Sequence, residues 1–334
     1  MLLVTTPFDA RTHLDGARLA ALDLARGLVA IGAARPVLLA RPGWAPPPEC
    51  DAAVVDGSPS SLAVLAAIAR ADVEVVHALF APRRRTALAL FALARARRVR
   101  LVQTLASSPR AWSRSLCVGD VVVATSRAAH ARLVAVGVGV GRLAIVPLPF
   151  APPSAPPAVP KVPRDLVLDV GDLEFGGGLA TTLDAFARIA PRPGAHPALV
   201  LAGRRKTPAA ARIEQKIRGR ARLLGEVPSL LPWIAGARCV LLAAVDTFAK
   251  IDHPRALLES IALGTRVIVG PAPSLGELVE EPSLGEVTVD RAALTAAIER
   301  AFERPPPDPD AIARVLAPRH PSIVAAAYAE LYRR

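Results

Sequence analysis

Short apolar runs alternate along the chain with longer stretches in which apolar residues recur every three or four positions. In the first half, the strand-like runs are Leu2–Thr5, Pro36–Ala40, Ala53–Val55, Val73–His77, Val99–Thr104, Val121–Thr125 and Leu143–Val146. Helical stretches between them include Ala17–Ile31, Ser60–Arg70, Arg84–Arg97 and Arg127–Val136. The second half repeats the scheme. Strands are expected at Leu166–Val170, Ala198–Ala202, Ala221–Leu224, Cys239–Ala243 and Arg266–Val269. Helices are expected at Leu179–Ile189, Ala209–Arg218, Val227–Ala235, Pro254–Leu263 and Leu275–Glu280, and again at Ala311–Leu316 and Ile323–Arg334. Strands alternating with helices predict parallel sheets covered by helices on both faces, an α/β protein.

A boundary separates the two series. Residues 147–164 read PLPFAPPSAPPAVPKVPR, and eight of these eighteen are Pro. Proline removes backbone donors and fixes φ, so neither a helix nor a central strand runs through it. We therefore expect two doubly wound domains, residues 1–150 and 165–317, joined by a semi-rigid connector at 151–164 and facing a cleft. Ligands of such sheets bind beyond the carboxyl ends of the strands.

Composition narrows the function. The 334 residues suit two domains, and 52% hydrophobic with 21% charged residues excludes wholesale disorder. Aromatics at 4% argue against a stacking platform for single-stranded nucleic acid, and no recognition motif points to nucleic acid at all. The net charge is +12, yet only four of the 41 basic residues are Lys, which reads as GC-rich codon usage. The functional alternative is a surface that attracts anions such as nucleotide phosphates or acidic headgroups. No apolar run reaches the length of a membrane span, and the chain opens on a strand-like run without a secretory signal pattern. A cytoplasmic protein is expected, at most peripheral on a membrane. Cys50, Cys117 and Cys239 have no metal-ligand spacing and suit reduced thiols, and the six His are scattered, so no metal site is expected.

Three segments carry candidate chemistry, all in the second half. Val170-Gly171-Asp172 leads through a loop to Gly176-Gly177-Gly178 and a helix; it reads either as a phosphate-binding turn or as a plain strand-to-helix turn. Arg204-Arg205-Lys206 taken alone reads as a solvated loop, but it follows a strand, where an anion would sit, and that position favours an anion site. The third is Lys250-Ile251-Asp252-His253-Pro254 through Glu259 to Gly264. Asp252 is expected to cap a helix with Pro254 in its first turn and Gly264 just past its end. Glu259 interrupts an apolar helix and needs a partner, either ligand hydroxyls or water.

With these segments in view, the chain resembles a GT-B glycosyltransferase of the retaining family 4 type (glycosyl transferases group 1). Val122-Val123-Ala124-Thr125-Ser126 and Ile145-Val146-Pro147-Leu148-Pro149 are similar to the end of that family's first domain. Val170 to Gly178 is similar to the opening of its donor domain, while Leu224-Gly225-Glu226-Val227 and Pro254–Val269 are similar to its base-binding and ribose-binding segments. The resemblance implies metal-independent transfer of a sugar from a nucleotide-sugar, a substrate rather than a cofactor, to a glycan or lipid-linked acceptor.

By the same resemblance, Glu259 would hold the ribose, the main chain near Glu226 and Val227 the base, and the turn at Lys250, Asp252 and His253 the pyrophosphate and sugar. Gly171, Gly176, Gly177, Arg204 and Lys206 would complete the donor site, Asp15, Gly16 and Ser107 would lie on the acceptor side, and the final helix, about 321–334, would return to the first domain. The catalytic residue is not assigned. The chain departs from the family pattern where Ile251 stands for the first of two Glu, and where Asp172 and the glycines stand for two phosphate-binding cations. Those departures define an alternative, a GT-B protein that binds without transferring. Arginines from Arg83 to Arg100 flank an apolar helix in the first half, which reads either as a buried helix with charged ends or as a contact for an anionic membrane.

Overall fold

The computed structural model describes residues 1–10, 12, 15–55, 62–79, 84–109, 111–153, 165–173, 178–189, 198–204, 210–225, 227–248 and 250–334; for residues 62, 63, 172, 204, 210 and 216 it describes the backbone alone. The Pro-rich stretch 154–164 lies outside the described residues. The chain divides into two compact units. The first comprises Met1–Ala151, Ala249–Asp252 and Pro318–Arg334, and the second Pro152–Phe248 and His253–Ala317.

The first unit opens with β1 (Leu2–Phe8), α1 (Gly16–Ala30), β2 (Val37–Ala40), β3 (Asp51–Val54), α2 (Leu62–Arg70) and β4 (Val75–Leu79). It continues through α3 (Arg84–Arg97), β5 (Arg100–Leu105), β6 (Val121–Ala124), α4 (Arg127–Ala135) and β7 (Leu143–Ile145). Its seven strands form one sheet in the order β3-β2-β1-β4-β5-β6-β7, with every pair parallel. The period of two is visible in β1: Leu3 joins the core that includes Leu24 and Leu28 of α1, while Leu2 and Val4 join Leu90 and Ala94 of α3 on the other face.

The second unit contains β8 (Leu166–Asp172), α5 (Leu179–Phe186), β9 (Ala198–Arg204), α6 (Ala210–Ile217), β10 (Arg222–Leu223) and α7 (Leu231–Gly236). Then follow β11 (Ala237–Leu242), α8 (Arg255–Ala262), β12 (Arg266–Val269), α9 (Pro273–Gly276), β13 (Gly285–Val287), α10 (Arg291–Glu303) and α11 (Pro309–Leu316). Its six parallel strands run β10-β9-β8-β11-β12-β13. Leu199, Leu241 and Ile268 of the sheet pack with Leu294 and Ile298 of α10.

Three local differences from the sequence pattern have physical causes. The helix expected over Val227–Ala235 is only Leu231–Gly236, because Pro232 is tolerated only in a first turn. β13 was hidden by its three-residue length; a Cβ on Gly285 would lie 1.9 Å from the Val267 carbonyl oxygen, so the strand needs glycine to approach its neighbour. α10 is also new. Its signal is Asp290 as cap followed by buried Leu294, Ala297, Ile298 and Ala301 at helical spacing.

The last element, α12 (Pro321–Arg333), packs along α1 in the first unit. Gly27 permits this, since a Cβ there would fall 2.4 Å from the Pro321 carbonyl oxygen. Polar atoms reinforce the contact. His77 on β4 meets Tyr332 through Nδ1 at 2.8 Å and Thr104 through Nε2 at 2.7 Å, and Thr104 meets the Tyr328 hydroxyl at 2.8 Å. His77 is fully buried, and desolvation lowers its pKa to about 3, so the ring is neutral. Among the described residues, no helix is long and apolar enough to cross a membrane.

Candidate functional site

In the second sheet, the strand order reverses between β8 and β11. In open parallel sheets this switch point leaves a crevice beyond the carboxyl ends of the strands. The residues there are small: Gly171 near the end of β8, Gly203 in β9, Ala243-Ala244 after β11 and Gly270 after β12. Their size follows from crowding. A Cβ on Gly178 would fall 2.0 Å from the Ala243 carbonyl oxygen, and one on Gly270 would fall 2.3 Å from that of Ala244. Gly178 also has φ +74°, which a side chain would strain. The start of α5 therefore lies directly against the end of β11.

Two helices begin beyond these strands, and neither start is closed by a side chain. Gly178 precedes α5 and Pro254 precedes α8, and neither supplies a capping oxygen. In the same unit α10 and α11 do begin on a capping carboxylate, Asp290 accepting from the Ala293 N–H at 2.8 Å and Asp308 from the Asp310 N–H at 3.0 Å, while the shorter α7 and α9, like α5 and α8, have no side-chain cap. Open N–H groups and the helix dipole make the starts of α5 and α8 the favourable places for an anion.

Charged side chains surround the start of α8. Arg255 donates from Nε to Glu259 Oε1 at 3.1 Å, one turn along the helix, with both side chains largely shielded. His253 is buried, with Nε2 3.7 Å from Glu277 Oε2. Beneath the switch point, Asp169 of β8 accepts a 2.8 Å bond from the Thr182 hydroxyl of α5. Burial raises the Asp169 pKa to about 7, against the smaller opposing effect of the Thr182 bond. The sequence reading passed over Asp169 and Glu277. For Asp169 the available signal was a carboxylate in the middle of the apolar run Leu166-Val167-Leu168-Asp169-Val170.

The sequence candidates scatter more widely than their motifs suggest. Gly176, Gly177, Lys206 and Glu226 lie outside the described residues, as does the side chain of Arg204. Gly171, Val227, Lys250 and Ser107 are half-buried, and the Lys250 carbonyl accepts from the Ser108 N–H at 3.4 Å. Gly16 opens α1, and Asp15 caps that helix, accepting from the Ala17 and Arg18 N–H groups at 2.9 and 3.2 Å.

Asp252 does not cap α8; that expectation is corrected, because Pro254 occupies the cap position. Asp252 instead belongs to the first unit, to which the chain returns briefly at Ala249–Asp252. Its Oδ1 accepts from Ser108 Oγ at 3.3 Å, and its Oδ2 accepts from Thr125 Oγ1 at 2.9 Å and Ser126 Oγ at 2.6 Å. Burial raises its pKa and the three hydroxyls restrain the rise. Ile251 packs on the apolar core of the same unit, which accounts for an aliphatic residue at that position.

Residues 164–304, nearly all of the second unit, match the family Glycosyl transferases group 1. The chain as a whole has the GT-B fold, two Rossmann-like units with parallel sheets. It is similar to sucrose-phosphate synthase from Thermosynechococcus elongatus (19% identity, 99% of this chain and 98% of that one, TM-score 0.79). It is also similar to Anabaena Alr3699/HepE in complex with UDP and glucose (16%, 99% and 98%, TM-score 0.74). A third similar structure is AviGT4, a glycosyltransferase involved in avilamycin A biosynthesis (22%, 100% and 96%, TM-score 0.74). No curated protein matches the chain in sequence.

Proposed function

We propose that the second unit binds a nucleotide-sugar beyond the carboxyl ends of β8 and β11, and that the protein transfers the sugar to a glycan or lipid-linked acceptor without a metal. The observation that carries this reading is the pair of open helix starts, α5 and α8, at the switch point of a unit matching a glycosyltransferase family. A diphosphate at these starts gains hydrogen bonds and a favourable dipole. As the sugar departs, negative charge grows on that diphosphate, so the same groups favour the transition state over the ground state.

In this reading Glu259 accepts hydrogen bonds from the ribose hydroxyls, and Arg255 fixes the carboxylate for them at 3.1 Å. His253 stands in the turn before α8 as a contact for the sugar or pyrophosphate. Arg204, Lys206 and Lys250 are the cations proposed to replace those missing from the glycine loop. Because the HepE structure contains UDP and glucose, UDP-sugars are the first donors to try. The acceptor would be met on the cytoplasmic side, and a lipid-linked one at an anionic membrane surface.

A second reading rests on one observation. Asp252, the carboxylate nearest to the family's first Glu position, is engaged by three hydroxyls of the first unit. A protein that binds a nucleotide-sugar without transferring it would tolerate that loss. Thermal stabilisation across a panel of nucleotide-sugars tests both readings. A ligand at 100 times its dissociation constant adds about 2.7 kcal/mol. Glu259→Gln is expected to weaken the best ligand at least tenfold, and unchanged affinity would remove Glu259 from the site. Release of free nucleoside diphosphate with an acceptor present separates transfer from binding alone.

A further inference from the structure

The first unit contains a pocket that the donor reading leaves unused. It opens where α3 ends and β5 begins, and its volume is about 390 Å³. Ala94, Leu101 and Val118 give it an apolar floor, and Phe91 forms one wall. Phe91 is 38% exposed, whereas Leu90 and Ala94 of the same helix are buried in the core. Around this apolar interior stand Arg95, Arg98 and Arg100, with Asp120 as the one carboxylate.

The charges do not cancel. Asp120 is already engaged: its Oδ2 accepts from the Leu101 N–H at 2.9 Å, and its Oδ1 lies 3.4 Å from the Arg95 guanidinium. Arg95 also stands 5.2 Å from the centre of the Phe91 ring. That leaves two cations. Nε of Arg100 is buried and has no hydrogen-bond partner among the described residues. The Arg98 guanidinium makes no ion pair or hydrogen bond with any described residue.

Arg98 breaks a local rule as well. The Val99 N–H bonds to the Ala94 carbonyl at 3.1 Å and the Arg98 N–H to the Arg95 carbonyl at 3.2 Å, so Arg98 occupies the left-handed position that closes a helix. Its φ is +54°, and it is the one non-glycine residue with positive φ among the described residues. Glycine fills such positions without strain, and six described glycines with φ from +64° to +82° have no atom near their missing Cβ. A strained, charged and unpartnered residue at a pocket mouth is the pattern expected where a ligand supplies what the fold withholds.

We propose that this pocket binds a phosphate monoester, with the phosphate between Arg98 and Arg100 and the ligand's apolar or planar body on Phe91 and the floor formed by Ala94, Leu101 and Val118. Guanidinium groups hold phosphate oxygens by paired, charge-assisted hydrogen bonds, which suits two arginines without other partners. The shared chemistry covers a soluble phosphorylated metabolite and the headgroup of a phosphatidic acid. The inference stands apart from the donor reading, because every residue in it belongs to the first unit.

Isothermal titration of the full chain tests it with three probes: inorganic phosphate, glycerol 3-phosphate and dihexanoyl phosphatidic acid below its micelle concentration. Saturable binding of at least one organic ester, tighter than inorganic phosphate and weakened by salt, is expected. A gain confined to the acylated probe assigns the floor to lipid, and a gain for both esters assigns the site to the phosphate monoester in general. Arg98→Gly separates ligand binding from a structural role. It removes the strain and the charge together, so the midpoint of urea unfolding is expected to rise while affinity falls at least tenfold. Arg100→Gln is expected to lower affinity by a similar factor, and the response to nucleotide-sugars stays unchanged in both variants. No saturable binding of any probe, or equal affinity in Arg98→Gly and the parent, would overturn the proposal.

Discussion

In the first unit α1, α4 and α12 begin on capping side chains, whereas in the second α5 and α8 begin open at its switch point. Asp15 caps α1, and Ser126 caps α4 through the Ala129 N–H at 3.0 Å while donating to Asp252. α5 and α8 have no such oxygen. The buried ionisable groups differ in the same sense. His77 sits in a chain of four hydrogen-bonding side chains, His77, Thr104, Tyr328 and Tyr332, which ties the sheet to α12. Asp169 has a single side-chain bond, from Thr182. One Rossmann-like scaffold thus serves two ends: the first unit satisfies these polar groups internally, and the second keeps backbone donors available where a diphosphate would lie.

The largest effect that could break this comparison lies at Gly178. Gly178→Ala combines a left-handed backbone with overlap against the Ala243 carbonyl, and should cost about 4 kcal/mol. Urea unfolding with hydrogen exchange by peptide should show the loss in the second unit alone. Equal protection in mutant and parent would mean that the α5 start is not pinned against β11.

Acid and base come next, and here the units should respond in opposite directions. Asp169 keeps its proton to about pH 7 in the fold against 3.8 unfolded, so the native state holds more protons between those values. The second unit should therefore lose stability as pH rises from about 4 to 7. His77 has the reverse relation, about 3 in the fold against 6.5 unfolded. The first unit should lose stability as pH falls from 6.5 toward 3. Asp169→Asn should flatten the first slope and stabilise the second unit by about 2 kcal/mol at pH 8. A parallel response of both units would remove the contrast.

Smaller effects sharpen it. Tyr328→Phe leaves Thr104 with one partner fewer and should cost about 1–2 kcal/mol in the first unit. Asp15→Ala should cost about 1 kcal/mol, read as a shift in the urea midpoint at constant slope. Adding a ligand should protect the α5 and α8 starts from hydrogen exchange and leave α1 and α4 unchanged.

Much of the fold was legible because central parallel strands are apolar runs and their helices repeat at 3.6 residues. Leu166–Val170 and Cys239–Ala243 differ from the observed strands by at most two residues at either end. Short elements were not legible, since β13 has too few residues to show a period. The candidate site was legible only in part. Glu259 and the glycine-bounded turn stand out as local exceptions, but Asp252 joins hydroxyls more than 120 residues earlier in the chain, which no local pattern announces. Arg98 is a similar case: its sequence context is an arginine run, and its backbone conformation alone distinguishes it.

The packing of α12 on α1 also sets an order of events during synthesis. Translation is vectorial, and domains generally fold as units as they emerge. Here every residue of the second unit precedes Pro318, so that unit is complete while the first still lacks its closing helix. The part of the protein made first is finished last, and until then the face of α1 around Gly27 stays uncovered. Truncation after Ala317 should therefore damage the earliest-made unit and spare the later one, so a nascent chain arrested at that point would be expected to attract chaperones through its oldest residues.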